Sequence, residues 1–365
     1  MNPTVELLFC LLRAALHPGR SEQVVWSENP DWAVLFRLAT AQGVSAIAWD
    51  GLVRLRREGQ LPAEYELPRA LKLQWAMQVS KIEQRYERQL RSATELADYF
   101  AQNGVRTVVL KGFAISELYP IPNHRECGDL DCFLCGDYER GNQLAEALGA
   151  KVRRDFYKHS HIEYKRLMVE NHQFCTAIRG ANERKVFERH LQQLLGEGMS
   201  HRLACSVLEI PSSDFNVLFL TAHGMSHFLS EGLKLRHLCD WVCLLQERSG
   251  EINWQMINEW TKQMAYDCFV ATMTALAVSH LGLSVVGAEL QTDNRYADRV
   301  LADMLRIDLS IFNSGKSRMA QRWMMVRNRF SAIWKYRLIY RRSLMVDLAR
   351  AIYAFFFERK PKLAK

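Results

Sequence analysis

The sequence predicts an α+β fold in which a small β-sheet sits between a helical N-terminal region and a helical C-terminal domain. Three observations carry this. Apolar residues recur at helical spacing from the N-terminus to about residue 103, a β-branched run (VRTVVL, 105–110) breaks the pattern there, and helical periodicity returns near residue 181. The chain has 365 residues, 48% of them hydrophobic and 24% charged, which is ordinary globular usage and long enough for two or three packed units. The expected divisions are a helical region over 1–103, a sheet-bearing core over 104–180, a helical domain over 181–315 and a basic, aromatic helical tail over 316–365.

Each element has a local reason. Apolar spacing marks helices at 5–16 and 33–55, where Gly43 interrupts, and from 67 to 100, a stretch free of Gly and, after Pro68, of Pro. The strand at 105–110 ends at Lys111-Gly112. A short helix over 113–119 is then stopped by Pro120 and Pro122. Residues 127–135 (CGDLDCFLC) read as a second strand. Side chains alternate along a strand, so Asp129 and Asp131 share one of its faces. A helix at 138–148 is closed by Gly149, and 158–165 and 167–175 read as two strands with hairpin spacing. Beyond residue 181 the clearest helices are 216–229, 234–247 and 254–281.

Composition narrows the setting. The nine cysteines are odd in number and scattered, so no disulfide framework is expected. Cys132 and Cys135 form a C-x-x-C, but no second pair follows at zinc-ribbon spacing, and they read as small residues at the end of a buried strand. The apolar run at 5–16 carries Glu6 and Arg13 and is too short and too charged to span a bilayer, so a cytoplasmic protein is expected. The net charge is +8, which favours anionic partners. Its source is local: residues 316–365 hold fourteen Lys or Arg against Asp347 and Glu358, so the chain before them is net acidic.

Two carboxylates at i and i+2 inside an apolar run (Leu130, Cys132, Phe133, Leu134) are costly unless paired or metal-bound. Beside a phosphate site they make a clamp for Mg²⁺ or Mn²⁺, since such ions prefer oxygen ligands and share them with substrate phosphates. Lys111-Gly112 supplies the phosphate site: glycine lets the backbone approach, the following helix offers free N–H groups, and Lys111 adds a charge. Arg125 is within reach from the loop. Glu163 and Glu170, in neighbouring strands, are both candidates for a third carboxylate.

Residues 110–134 (LKGFAISELYPIPNHRECGDLDCFL) resemble the signature of an uncharacterised bacterial nucleotidyltransferase family of the DNA polymerase beta-like superfamily. The matching features are Lys111-Gly112, Leu118-Tyr119-Pro120, Arg125 and Gly128-Asp129-Leu130-Asp131. Next come a His-rich strand (Lys158-His159-Ser160-His161) and Val169-Glu170-Asn171-His172, then His223, His227, Arg236 and Asp240. The resemblance covers roughly residues 100–345 and is most specific at 110–134. It implies a mixed sheet of the nucleotidyltransferase type and transfer of a nucleoside monophosphate from an NTP to an acceptor. Asp129, Asp131 and Glu170 would bind the metal, with Glu170 rather than Glu163 as the third carboxylate and as an aid to deprotonating the acceptor. Lys111, Gly112, Arg125, Gly128, His161 and His172 would bind the nucleotide. His223, His227, Arg236 and Asp240 would line a substrate pocket, the two histidines alternatively packing between helices against Asp240. The acceptor is left open among protein, RNA and small molecules.

A second reading keeps the fold as a nucleotide- or RNA-binding module without turnover. The tail interleaves its basic residues with Trp323, Phe330, Trp334, Tyr336, Tyr340 and Tyr353. That composition suits RNA, an acidic membrane surface, or plain helix packing.

Overall fold

The computed structural model describes residues 2–20, 30–62, 65–178, 181–197, 199–203, 206–284, 290–306 and 332–357. Helix α1 (Pro3–Leu16) starts where the Asn2 side chain accepts from the Thr4 N–H and proline occupies the first turn. Helix α2 (Trp32–Ala41) ends before Gly43, whose φ of +68° opens the turn into α3 (Ser45–Arg57). The expected break at Gly43 is therefore real. Helix α4 (Arg69–Gln102) runs 34 residues. Its buried stripe serves two cores: Trp75, Val79 and Ile82 pack with α1–α3, while Leu96, Ala97 and Phe100 pack under the sheet.

The sheet is mixed and seven-stranded. Its strands are β1 (Val108–Val109), β2 (Leu130–Phe133), β3 (Lys151–Arg153), β4 (His159–Tyr164), β5 (Leu167–His172), β6 (Met199–Arg202) and β7 (Glu209–Pro211), in the order β3-β4-β5-β2-β1-β7-β6. Strands β2 and β5 run parallel, as do β1 and β7; β4 and β5 form the antiparallel hairpin that the sequence spacing indicated. Helix α5 (Phe113–Ser116) is a single turn, and α6 (Tyr138–Ala147) lies against the sheet. A Cβ at Gly141 would come within 2.0 Å of Leu134 Cδ1, which is why α6 sits so close.

Helices α7 (Asn182–Glu197), α8 (Ser213–Ser230), α9 (Leu235–Arg248), α10 (Trp254–Met264), α11 (Asp267–Leu281) and α12 (Ala297–Leu305) form the other side. One apolar cluster joins them to the N-terminal helices, with Leu8, Leu12, Phe219, Leu238 and Leu276 all buried in it. Three expectations need correction. The region after 181 is not wholly helical, because β6 and β7 extend the sheet beyond β1; β6 is polar and short and carries no period-2 apolar signal. The helix expected over 254–281 breaks at Ala265, which adopts φ +58°. The strands expected at 105–110 and 127–135 pair only over Val108–Val109 and Leu130–Phe133.

Residues 316–331 and 358–365 of the tail, with Trp323 and Phe330, lie outside the described residues. Within 332–357 the tail is docked. Arg299 covers the Trp334 ring at 4.4 Å, Lys335 Nζ donates to the Phe228 carbonyl at 2.8 Å, and Tyr340 stacks on Tyr266. No helix among the described residues is long and apolar enough to cross a membrane, and the described cysteines are free thiols.

The closest backbone approach in the N-terminal region is at Gly51, where a Cβ would stand 1.9 Å from the Leu11 carbonyl oxygen. Gly51→Ala is expected to push α1 off α3 and destabilise the protein by about 3 kcal/mol in urea unfolding. An unchanged midpoint would show that the two helices can part freely.

Candidate active site

The parallel register of β2 on β5 places Asp131 opposite Glu170, and the hairpin places Glu170 opposite His161. One row across the sheet is therefore Asp131–Glu170–His161, and the row beside it is Phe133–His172–His159. Because strand residues alternate, all six point to one face. The opposite face carries Leu130, Cys132, Ile162 and Val169 and is sealed by α4 and α6. Asn171 also lies on that face, where it and Ser160 hydrogen-bond to Asn142 of α6.

Asp131 is 2% exposed. Its Oδ1 lies 3.1 Å from His172 Nε2, and its Oδ2 lies 3.0 Å from Lys111 Nζ, off the direction of a hydrogen bond, so that Oδ2 is buried without a hydrogen-bond partner. Burial pushes the Asp131 carboxyl up, but Lys111 and His172 outweigh it and hold the group well below the usual carboxylate range. Glu170 is also held low: burial raises it, while its hydrogen bond with His172 and the neighbouring His159 bring it down. Glu170 Oε2 stands 3.4 Å from His172 Nε2. The other nitrogen of His172, Nδ1, donates to the Phe174 carbonyl at 3.0 Å. That loop is in turn fixed by Glu188, which accepts from the N–H groups of Cys175 and Thr176, each at 2.7 Å.

Asp131, Glu170 and His172 thus present ligand atoms within 4.8 Å of one another. Two carboxylates, one with an unsatisfied buried oxygen, and an imidazole whose outer nitrogen is anchored form a donor set that fits a divalent cation. Glu163, the alternative third carboxylate, pairs with Met168 and Lys151 farther along the hairpin and forms an exposed ion pair with Arg153 at 3.7 Å. Asp129 precedes β2 instead of lying in it. It lines the same cavity as Asp131, and burial, then the charges of Asp131 and Glu170, push its carboxyl up.

Lys111-Gly112 follows β1. Gly112 has φ +64° and ψ −107°, a backbone state that only glycine adopts readily, and this turns Lys111 back toward β2. The helix after it is one turn long, so the expected row of free helical N–H groups reduces to the turn itself. Lys111 Nζ also lies 3.4 Å from His223 Nε2. Gly128 lines the cavity, and its carbonyl accepts from Gln89 Nε2 at 2.9 Å.

That cavity, of roughly 220 Å³, lies between the start of β2 and helices α8, α9 and α11. Lys111, Asp129, Asp131, His223, His227, Arg236 and Asp240 all reach it, so the residues expected in a substrate pocket are brought together. Arg125 lines it too, and Arg125 and Asp240 have other duties than expected. Arg125 is 5% exposed, and its guanidinium grips Asp240 with both prongs, Nε to Oδ1 at 3.0 Å and Nη2 to Oδ2 at 2.7 Å. Tyr119 OH donates to the same Oδ1 at 2.7 Å. Arg125 is therefore half of a buried ion pair, not a free phosphate ligand, and Asp240 serves it in place of the histidines. His161 and His172 are not in the cavity wall. They stand behind the carboxylates, turned to Glu170 and Asp131, where the sequence reading had them touch nucleotide.

Sequence reasoning missed Lys158, His159 and His237. Lys158 lies in electrostatic reach of Asp131 and Glu170, and burial lowers its pKa. His237 joins His223 and His227 in a second cluster of ligand atoms within 4.8 Å. His159 and Lys158 stood in plain view in the Lys-His-Ser-His run; His237 had no spacing signal of its own. A second cavity of roughly 400 Å³, lined by Lys158, Arg184, Ser226, Tyr266 and Tyr340, shares His223 with the first.

The fold is mixed α+β, and an acidic cluster that fits a divalent cation stands beside a Lys-Gly turn. Residues 28–282 match the model of a family described as uncharacterised nucleotidyltransferase, and the chain belongs to that family. It is a transferase of nucleotidyl groups. No curated protein and no solved structure matches the chain.

Breaking the buried Arg125–Asp240 pair from one side leaves an uncompensated charge. Arg125→Met or Asp240→Leu is expected to cost about 3–5 kcal/mol in urea unfolding, and the double variant Arg125→Met/Asp240→Leu less than the sum of the two. Strict additivity would show that the pair does not act as a unit. Burial, then the charge of Arg236, pushes His237 down to about 3, below its unfolded value near 6.5. The folded state keeps this imidazole neutral, so its contribution is full above pH 6.5 and is lost as pH falls from 6.5 toward 3. Thermal midpoints should drop over that window, and less steeply in His237→Gln. Parallel curves for the two proteins would refute the assignment.

Proposed function

We propose that the protein transfers a nucleoside monophosphate from an NTP to an acceptor group, with Asp129, Asp131 and Glu170 holding Mg²⁺ or Mn²⁺. The observation that carries this reading is the in-register pair Asp131–Glu170 with Lys111 3.0 Å from Asp131 on a cavity wall. The bound cation would neutralise phosphate charge and align the attacking and leaving oxygens.

The chain's own groups supply the rest. With the cation held by the carboxylates, Lys111 would be the ammonium within reach of the phosphates, and the Gly112 turn would admit them close to the backbone. The walls of the first cavity, with Trp241, Phe269 and Met273 facing Arg236 and His237, suit a nucleobase. The second cavity, with Lys158, Arg184 and three tyrosines, suits the acceptor, and His223 stands between the two cavities. Glu170, which its histidines hold ionised, is the carboxylate placed to help take the acceptor's proton.

The experiment is incubation of the protein with labelled NTPs, Mg²⁺ and cell extract, with mass spectrometry of the products and a pyrophosphate assay. Asp129→Ala and Asp131→Ala should each lower turnover at least ~10³-fold while circular dichroism shows the fold retained. Full turnover in either folded variant overturns the assignment. NTP binding with no product from any acceptor would instead mark a nucleotide-binding module.

A further inference from the structure

Glu170 faces two clusters, not one. Beyond Asp131 and His172 it meets His159 and His161 on the neighbouring strand. Its Oε2 lies 3.5 Å from His159 Nδ1 and its Oε1 lies 3.8 Å from His161 Nε2. These three side chains present ligand atoms within 4.8 Å of one another. From this geometry we infer a second metal site, formed by His159, His161 and Glu170, that takes a nitrogen-preferring first-row ion, Zn²⁺ above all, and shares Glu170 with the carboxylate centre.

The spacing fits the ion. With metal–ligand bonds of about 2.1 Å, a tetrahedral site has ligand–ligand edges of about 3.4 Å. The two observed separations, each to a different oxygen of Glu170, are close to that edge and longer than ordinary hydrogen bonds. The orientation of the rings fits as well. His161 Nδ1 lies 3.3 Å from Asp155 Oδ1, so the outer nitrogen donates to a carboxylate and the inner Nε2 is left with its lone pair. His159 is 8% exposed, and its inward Nδ1 is buried without a hydrogen-bond partner. A buried imidazole nitrogen aimed at a carboxylate it does not bond is costly unless something sits between them.

The donor set selects the ion. Two imidazoles and one carboxylate suit Zn²⁺ and its neighbours, whereas Mg²⁺ keeps to oxygen. The other histidine cluster, His223–His227–His237, is less suited: the Lys111 ammonium stands 3.4 Å from His223 Nε2, and His237 Nδ1 already accepts the Lys234 N–H at 3.0 Å. Through the shared Glu170, a cation at His159 and His161 would hold that carboxylate fixed and ionised beside Asp131.

The inference shares Glu170 with the proposed function but is read without nucleotide, so the two can fail separately. Chelator-treated protein would be titrated calorimetrically with Zn²⁺ in excess Mg²⁺, and Co²⁺ absorption would report nitrogen ligation. Wild type should bind one Zn²⁺ that Mg²⁺ does not displace. His161→Gln and His159→Gln should weaken it at least ~100-fold, and Asp155→Asn, which removes only the outer partner, by about 10-fold. Asp131→Asn and His227→Gln should leave it in place. Zn²⁺ binding unchanged in folded His159→Gln and His161→Gln, or lost in His227→Gln instead, overturns the inference. So does a wild-type protein that binds no Zn²⁺ under excess Mg²⁺. A chain that binds Zn²⁺ but transfers nothing would leave the inference standing and remove the proposed function.

Discussion

A carboxylate with almost no solvent exposure governs the architecture around it. Asp131 sits in the middle strand of the sheet, flanked by β1 and β5, where an unpaired charge would cost several kcal/mol. Its compensation comes from three directions: Lys111 from the turn after β1, His172 from β5, and more distantly His223 from α8. Each source needs its own support. Lys111 reaches back because Gly112 takes a positive φ, and His172 is oriented by the Phe174 carbonyl, in a loop held by Glu188. The buried charge thus explains a glycine, a histidine and a remote glutamate that share no sequence spacing.

A second buried charge ties the sheet to the helices. Arg125 lies in the loop before β2 and Asp240 on α9, 115 residues later. With Tyr119 they close into one network, and the cavity lies between that network and the Asp131 group. Such a strut is weak evidence for added stability, since a buried ion pair gains little over well-packed apolar groups. Its effect here is geometric. It fixes the distance between the carboxylates of β2 and the helix wall that faces them, and so the width of the space a substrate can enter.

Much of this was legible in the sequence, for identifiable reasons. The carboxylates were found because two Asp in an apolar strand violate the usual cost of buried charge, and a rule broken in one place points to chemistry. The hairpin and the long α4 followed from uninterrupted periodicity. Tyr119, Arg125 and Asp240 were noticed as separate motif positions, but nothing in spacing says that the arginine spends its charge on the aspartate; that depends on a contact 115 residues distant. The strands β6 and β7 escaped because they are only four and three residues long and carry no alternating run, with pairing set by the edge of β1 and not by their own pattern. For the aromatic residues of the tail, composition allowed stacking on bases or packing on helices equally, and Trp334 and Tyr340 pack.

Lys111 connects the electrostatics to the chemistry. Its ammonium stands between Asp131 at 3.0 Å and His223 at 3.4 Å, in a pocket where burial would lower its pKa. Asp131 and Asp129 more than offset that burial, so the carboxylates hold the group in its charged form. A divalent cation at Asp131 would repel the ammonium and weaken this support at the same moment that anionic phosphates approach. The lysine then has one favourable course, which is to exchange a carboxylate partner for a phosphate one. Placing the lysine at the carboxylate before substrate arrives keeps the buried site neutralised, and under the proposed function it would also hold a phosphate ligand in reserve. The same exchange explains why a flexible lysine suits this position better than an arginine locked by a fork, which the fold uses instead at Arg125.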